Sequence, residues 1–117
     1  MPASPQFVAF DAEQPVGTAG ALTEGQRTDL VSMWVRPDAR GTGVGDALVA
    51  AVIEEALARG SATVALWVSE GNDFAEALYA RHGFERSGRQ KPIDEDDPSR
   101  GAEFEMRRSA VDAARRE

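Results

Sequence analysis

The residues best suited to chemistry form a run of six, Arg40-Gly41-Thr42-Gly43-Val44-Gly45, in which three glycines alternate behind an arginine. Glycine admits positive φ and lets a ligand lie against the main chain. Where such a turn feeds a helix, the first N–H groups have no intrahelical partner, and the helix dipole adds positive potential. Arg40 supplies a full charge and a fork of donors beside that nest. The pattern suits a phosphate. An ordinary glycine-rich bend fits the same letters, so its context must decide.

Two common phosphate motifs fail here. A dinucleotide fingerprint needs a third glycine at 46 or 48, and Asp46 and Leu48 stand there. A P-loop needs Lys followed by Ser or Thr after its last glycine, and Asp46-Ala47 take that place. NTP hydrolysis is therefore not expected. Cysteine is absent, which removes disulfides, thiolate metal ligands and a cysteine nucleophile. With His82 as the single histidine, no metal is expected.

The 117 residues carry a net charge of −7. That argues against generic nucleic-acid binding, which needs clustered Lys and Arg. An acidic body can steer a cationic acceptor, or serve solubility alone. No apolar run approaches the length of a membrane span. The start, Met-Pro-Ala-Ser-Pro-Gln, lacks the basic and apolar regions of a leader, so a cytoplasmic location is expected.

The elements that must hold the motif follow from periodicity and punctuation in one domain, 1–117. After a loose lead-in over 1–6, strands are expected at 7–11 and 16–23, paired as an antiparallel hairpin. Leu30 to Val35 is nearly continuous in apolar residues and is expected to be central and covered on both faces. Pro37 ends it. A helix over about 44–59 places Leu48, Val52 and Ala56 on one row and stops at Gly60. Ser61 to Val68 is a fourth strand, parallel to the third through a βαβ crossover. Asn72 caps a second helix running to about His82, closed by Gly83. Strands at 84–89 and 102–108 flank an acidic loop containing Asp94 to Asp97. The tail, 109–117, reads as a frayed helix. The fold class is mixed α/β (α+β), with a mostly antiparallel central sheet.

The turn Arg40-x-x-Gly43-x-Gly45, the strand Leu30-Val-Ser-Met-Trp-Val-Arg-Pro37 before it and the later Asn72…Ala77-Leu78-Tyr79…His82-Gly83-Phe84 resemble the hallmarks of the GCN5-related N-acetyltransferase (GNAT) superfamily, over roughly residues 7–108. The resemblance implies that Arg40, Gly41, Thr42, Gly43, Val44 and Gly45 bind the pyrophosphate of acetyl coenzyme A. It implies a split between the third and fourth strands, with the backbone of Met33 and Val35 pairing the pantetheine arm. Asn72 would bond that arm or order a water, beside its simpler role as a helix cap. Tyr79, the single tyrosine, would donate a proton or a hydrogen bond to the departing thiolate, against the plainer reading of a tyrosine at the core edge.

The acceptor is then a primary amine that attacks directly in a ternary complex, and Asp29, Glu70 or ordered water are candidates to take its proton. His82 fits a cap better than a base. Trp34 and Trp67 fit core or pocket wall. Relatives usually begin with a strand and two helices, of which little room remains before Phe7; an incomplete gene start, a minimal variant or a pocket wall from a second subunit each fit, and the apolar area left exposed makes a homodimer a further expectation. The alternative to an enzyme is a non-catalytic acyl-coenzyme A-binding or interaction module that keeps the cleft.

Overall fold

The computed structural model describes residues 4–111. Of the expected loose lead-in over 1–6 and helical tail over 109–117, residues 1–3 and 112–117 lie outside the described residues; within them, Gln6 already belongs to the first strand and Ser109 to the last, which corrects both bounds. Six strands form one sheet: β1 (Gln6–Asp11), β2 (Gln14–Glu24), β3 (Arg27–Val35), β4 (Thr63–Ser69), β5 (Glu85–Pro92) and β6 (Ala102–Ser109). Two helices, α1 (Val44–Ala58) and α2 (Asp73–Arg81), lie between β3 and β4 and between β4 and β5. The strand order is β1-β2-β3-β4-β6-β5, antiparallel throughout except for β3 and β4.

That parallel contact decides the architecture. β3 and β4 pair only at Arg27 with Thr63, Thr28 with Val64 and Asp29 with Ala65. Beyond Asp29 the two strands part. β2 stays with β3 as far as Val35, but the register slips between Thr18 and Gly20, opposite Ser32. Ser32 sits at φ 54°, outside the strand region. This is a β-bulge, which bends the strand and increases its twist. The bend carries the second half of β3 away from β4.

Leu48, Val49, Val52 and Ala56 of α1 and Leu78 of α2 pack on one face of the sheet, over Val16, Leu30, Val64, Leu66, Phe104 and Met106. Gly60, at φ 76°, and Gly83, at φ 87°, follow the two helices as stop residues. α1 approaches β2 closely: a Cβ on Gly17 would fall 2.9 Å from both Leu48 and Val44. No helix among the described residues covers the opposite face. Val8, Leu22, Val31 and Trp34 project from β1, β2 and β3 on that side, each more than a third exposed.

The expectation that Leu30 to Val35 would be covered on both faces is therefore corrected. Leu30 and Val35 are buried under the helices, whereas Val31 and Trp34 stand on the uncovered face. β2 begins two residues earlier than expected, because Asp11 and Gln14 pair across a two-residue turn. β4 begins at Thr63 rather than Ser61. The Ser61 hydroxyl is held by Thr28, Oγ to Oγ1 at 2.7 Å, and the N–H groups of Ala62 and Thr63 donate to Gln26 O.

Candidate active site

Where β3 and β4 part, a cleft of about 430 Å³ opens. Leu30 to Val35 line one side, Trp67, Val68 and Ser69 the other. Asn72, Phe74, Ala75, Leu78 and Tyr79 of the α2 segment and Arg40 of the glycine turn complete it. Each strand keeps a ladder only on its outer side, β3 with β2 and β4 with β6. The inner backbone edges are left to face the cleft. Buried peptide groups need partners, so an extended amide-bearing chain entering here would pair with them as a strand does.

One end of the cleft is built for an anion. A single 3-10 turn, Pro37–Ala39, leads into Arg40. Gly41 has φ 80° and Gly43, the N-cap of α1, φ 95°, and neither has a neighbour near the place of a Cβ. A side chain at either position would be strained by the backbone rather than by crowding. The Thr42 hydroxyl donates to Ala39 O and tightens the turn. The N–H groups of Gly43 to Asp46 donate to no acceptor among the described residues. The Arg40 guanidinium has no carboxylate partner among those residues and rests over the Phe74 ring, 5.6 Å from its centroid. Free amides, a helix N-terminus and an unspent arginine fit a pyrophosphate. Gly45 lets α1 meet α2, since a Cβ there would lie 3.1 Å from Leu78 Cδ2.

Asn72 fills two roles at once. Its Oδ1 accepts from Ala75 N at 3.1 Å, capping α2, and the residue also lines the cleft. The amide's own N–H donors have no partner among the described residues. Tyr79 is 5% exposed and meets Phe84 edge-on, with ring centroids 6.0 Å apart. Its hydroxyl has no protein partner among the described residues and is not sealed from the cleft. Burial pushes its pKa up to about 12, so at neutral pH it carries its proton and can donate it. Tyr79 and Leu78 are both buried, so the tyrosine lies deeper than a residue simply facing a ligand.

Of the residues anticipated from sequence, Met33, Val35, Arg40, Asn72 and Tyr79 converge on the cleft. Gly41 to Gly45 form the turn beside it. Asp29 and Glu70 do not line it. Asp29 accepts from Arg27 Nε at 2.8 Å at the last parallel pair of β3 and β4. Glu70 accepts from Gln90 Nε2 at 2.9 Å and lies 3.5 Å from Arg86. Phe74 and Ser69 belong to the lining and were not singled out. The signal for Phe74 was its place two residues after the cap, in the first turn of a helix facing the glycine turn. Trp34 and Trp67 are walls of the cleft rather than core. His82 ends α2, and its Nε2 lies 2.8 Å from Asp46 Oδ1, which also receives Arg81. The His82 hydrogen bond, joined by the Arg81 hydrogen bond and the charges of both, outweighs burial and holds the Asp46 carboxyl below its ordinary range.

Residues 1–84, which include both motifs, match the acetyltransferase (GNAT) family. The chain belongs to that family. An uncharacterised N-acetyltransferase of Methanocaldococcus jannaschii is 44% identical over 57 residues, 49% of this chain and 25% of that protein. The chain thus spans about a quarter of that curated relative. The ribosomal-protein-S18-alanine N-acetyltransferase of Escherichia coli has the same fold, with a TM-score of 0.78 at 25% identity, over 97% of this chain and 74% of that one. Nourseothricin acetyltransferase gives a TM-score of 0.85 at 29% identity, over 92% of this chain and 66% of that one. The split sheet and glycine turn described above are therefore those of a GNAT acyltransferase, the family that the two sequence motifs resemble.

Proposed function

We propose that this GNAT protein transfers acetyl from acetyl coenzyme A to a primary amine by direct attack in a ternary complex. The observation that carries the reading is the convergence of an anion-binding turn, an unpaired pair of strand edges and a protonated Tyr79 on one cleft. Arg40 and the amides of Gly41 to Gly45 would hold the pyrophosphate. Met33 and Val35 backbone groups and the Asn72 amide would align the pantetheine arm. The bound thioester supplies an activated carbonyl.

Strand-edge N–H groups would stabilise the oxyanion formed when the amine nitrogen bonds to that carbonyl carbon. The carbon–sulfur bond then breaks, and Tyr79 donates a hydrogen bond to the departing thiolate or gives it a proton, which water then returns to the phenolate. The ammonium proton leaves to Asp29, to Glu70 or to water. No acyl-enzyme is needed, since the chain has no cysteine. Because both carboxylates are engaged in ion pairs outside the cleft lining, water carrying the proton to one of them is favoured over direct contact.

A non-catalytic acyl-coenzyme A-binding module has the same cleft without turnover. Thermal unfolding with and without millimolar acetyl coenzyme A tests the shared premise: the melting temperature rises if the cleft binds it, and no rise overturns both readings. Release of free thiol across an amine panel then separates them.

A further inference from the structure

The cleft passes through the sheet and so has two mouths. Met33, Val35, Leu78 and Tyr79 line the helix side, where the glycine turn and Arg40 lie. Val31, Trp34 and Trp67 line the uncovered side. If the coenzyme fills the first mouth, the amine must come through the second.

That second mouth is rimmed by cations. Lys91 Nζ lies 4.3 Å from the Trp67 ring centroid and Arg89 Cζ 5.5 Å from it. Cation–π contact with one indole thus gathers two positive charges at one place. They are 47% and 61% exposed, and each has one carboxylate partner. Lys91 has one loose ion pair, 3.5 Å to Glu103. Arg89 gives Nη1 to Glu105 at 3.1 Å, leaving further donors free.

The carboxylates nearby do not cancel this field. Glu105 has no exposed side-chain surface. It is already met by Arg27 at 2.8 Å, Arg107 at 3.2 Å and the Ser87 hydroxyl at 2.6 Å. The register also sets Glu85 opposite Arg107 and Glu24 opposite Arg27, so the face as a whole carries no positive excess; the positive charge is local to the Trp67 rim, where Arg89 and Lys91 stand together. Asp29 remains about one-third exposed across the ion-paired row, joined to Glu105 through Arg27.

We infer that the acceptor is a small amine bearing a carboxylate, an amino acid or a close analogue. Its carboxylate is held by Arg89 and Lys91, its apolar part lies on Trp67, and its amino group turns towards the split and Asp29. The inference rests on the acetyl-transfer reading for its chemistry, but its binding can be read without turnover. A polyamine would meet two like charges at the same rim, which costs affinity.

The test compares leucine, leucinamide and spermidine as acceptors, followed both by acetylation and by tryptophan fluorescence, since Trp34 and Trp67 flank the proposed site. Leucine is expected to exceed leucinamide and spermidine by about tenfold or more in apparent affinity and in kcat/KM. Lys91→Glu should remove most of that preference while leaving the melting-temperature rise with acetyl coenzyme A unchanged. Arg89→Glu is the stronger reversal but disturbs Glu105, so Lys91→Glu, whose only ion pair among the described residues is an exposed one, keeps the test independent of folding. Equal or better binding of leucinamide or spermidine overturns the inference, as does a preference that survives Lys91→Glu. Leucine binding without acetylation would sustain it and remove the enzymatic reading instead.

Discussion

Tyr79 is the residue on which most turns. Its pKa of about 12 keeps the phenol protonated through the range where a GNAT enzyme would work. Tyr79→Phe should lower kcat about 100-fold, within the usual span of a lost general acid, while moving the KM for acetyl coenzyme A less than twofold. Steady-state kinetics at saturating amine check this. The same burial has a stability signature. The folded pKa is raised above the ordinary value of 10, so the stabilisation is intact below pH 10 and is lost as pH climbs towards 12. The unfolding free energy of the native protein should therefore decline over that window, by up to about 1.4 kcal/mol per pH unit. Urea unfolding of Tyr79→Phe at pH 9, 10 and 11 should lack that component. The motif placed Tyr79 in the cleft from sequence alone. Its depth was hidden, because helical spacing from Asn72 gives a direction around the axis but not how closely Phe84 and the sheet close over the ring.

The helices owe their placement to small residues at close approaches. Gly17→Ala would drive a methyl group into Leu48 and Val44. A loss of about 1–3 kcal/mol is expected, seen as a melting temperature several degrees lower. Asn72 separates cap from ligand contact. Asn72→Ala should lose about 1 kcal/mol, whereas Asn72→Ser should retain the cap to within a few tenths. If both variants bind acetyl coenzyme A more weakly by a similar factor in calorimetry, the side-chain amide, not the cap, is the contact. Helix boundaries were legible because Asn72, Gly60 and Gly83 punctuate them. The bulge at Ser32 was not. Its sequence, Val31-Ser32-Met33, carries no glycine to mark a positive φ, and the distortion comes from the pairing with β2. For the same reason Val31 and Trp34 read as ordinary central-strand residues, although they flank the opening.

At the scale of the whole molecule, three arginines, Arg27, Arg89 and Arg107, gather around Glu105 on the sheet face away from the helices. Burial would raise the Glu105 pKa, but hydrogen bonds from Ser87 and Arg27 and the charges of Arg27 and Arg89 outweigh it and hold the carboxyl below its ordinary range. Such a group stabilises the fold above about pH 4.5, and the contribution is lost as pH falls through the lowered folded value. Glu105→Gln should therefore be less stable at pH 7, by about 1–3 kcal/mol, and should show a shallower loss on acidification in circular dichroism. The sheet order was only half legible. The crossover from β3 to β4 followed from chain logic, but the insertion of β6 between β4 and β5 is a long-range pairing that no local pattern encodes. Among the described residues, the three residue pairs that join β3 to β4 are the only ladder between two half-sheets, β1-β2-β3 and β4-β6-β5. They make a natural line of division. Two polypeptides cut in the turn around Gly60 would each retain three strands and one helix. Fused to interacting partners, they should reassemble a coenzyme-binding cleft that neither half possesses, turning the seam into a split reporter.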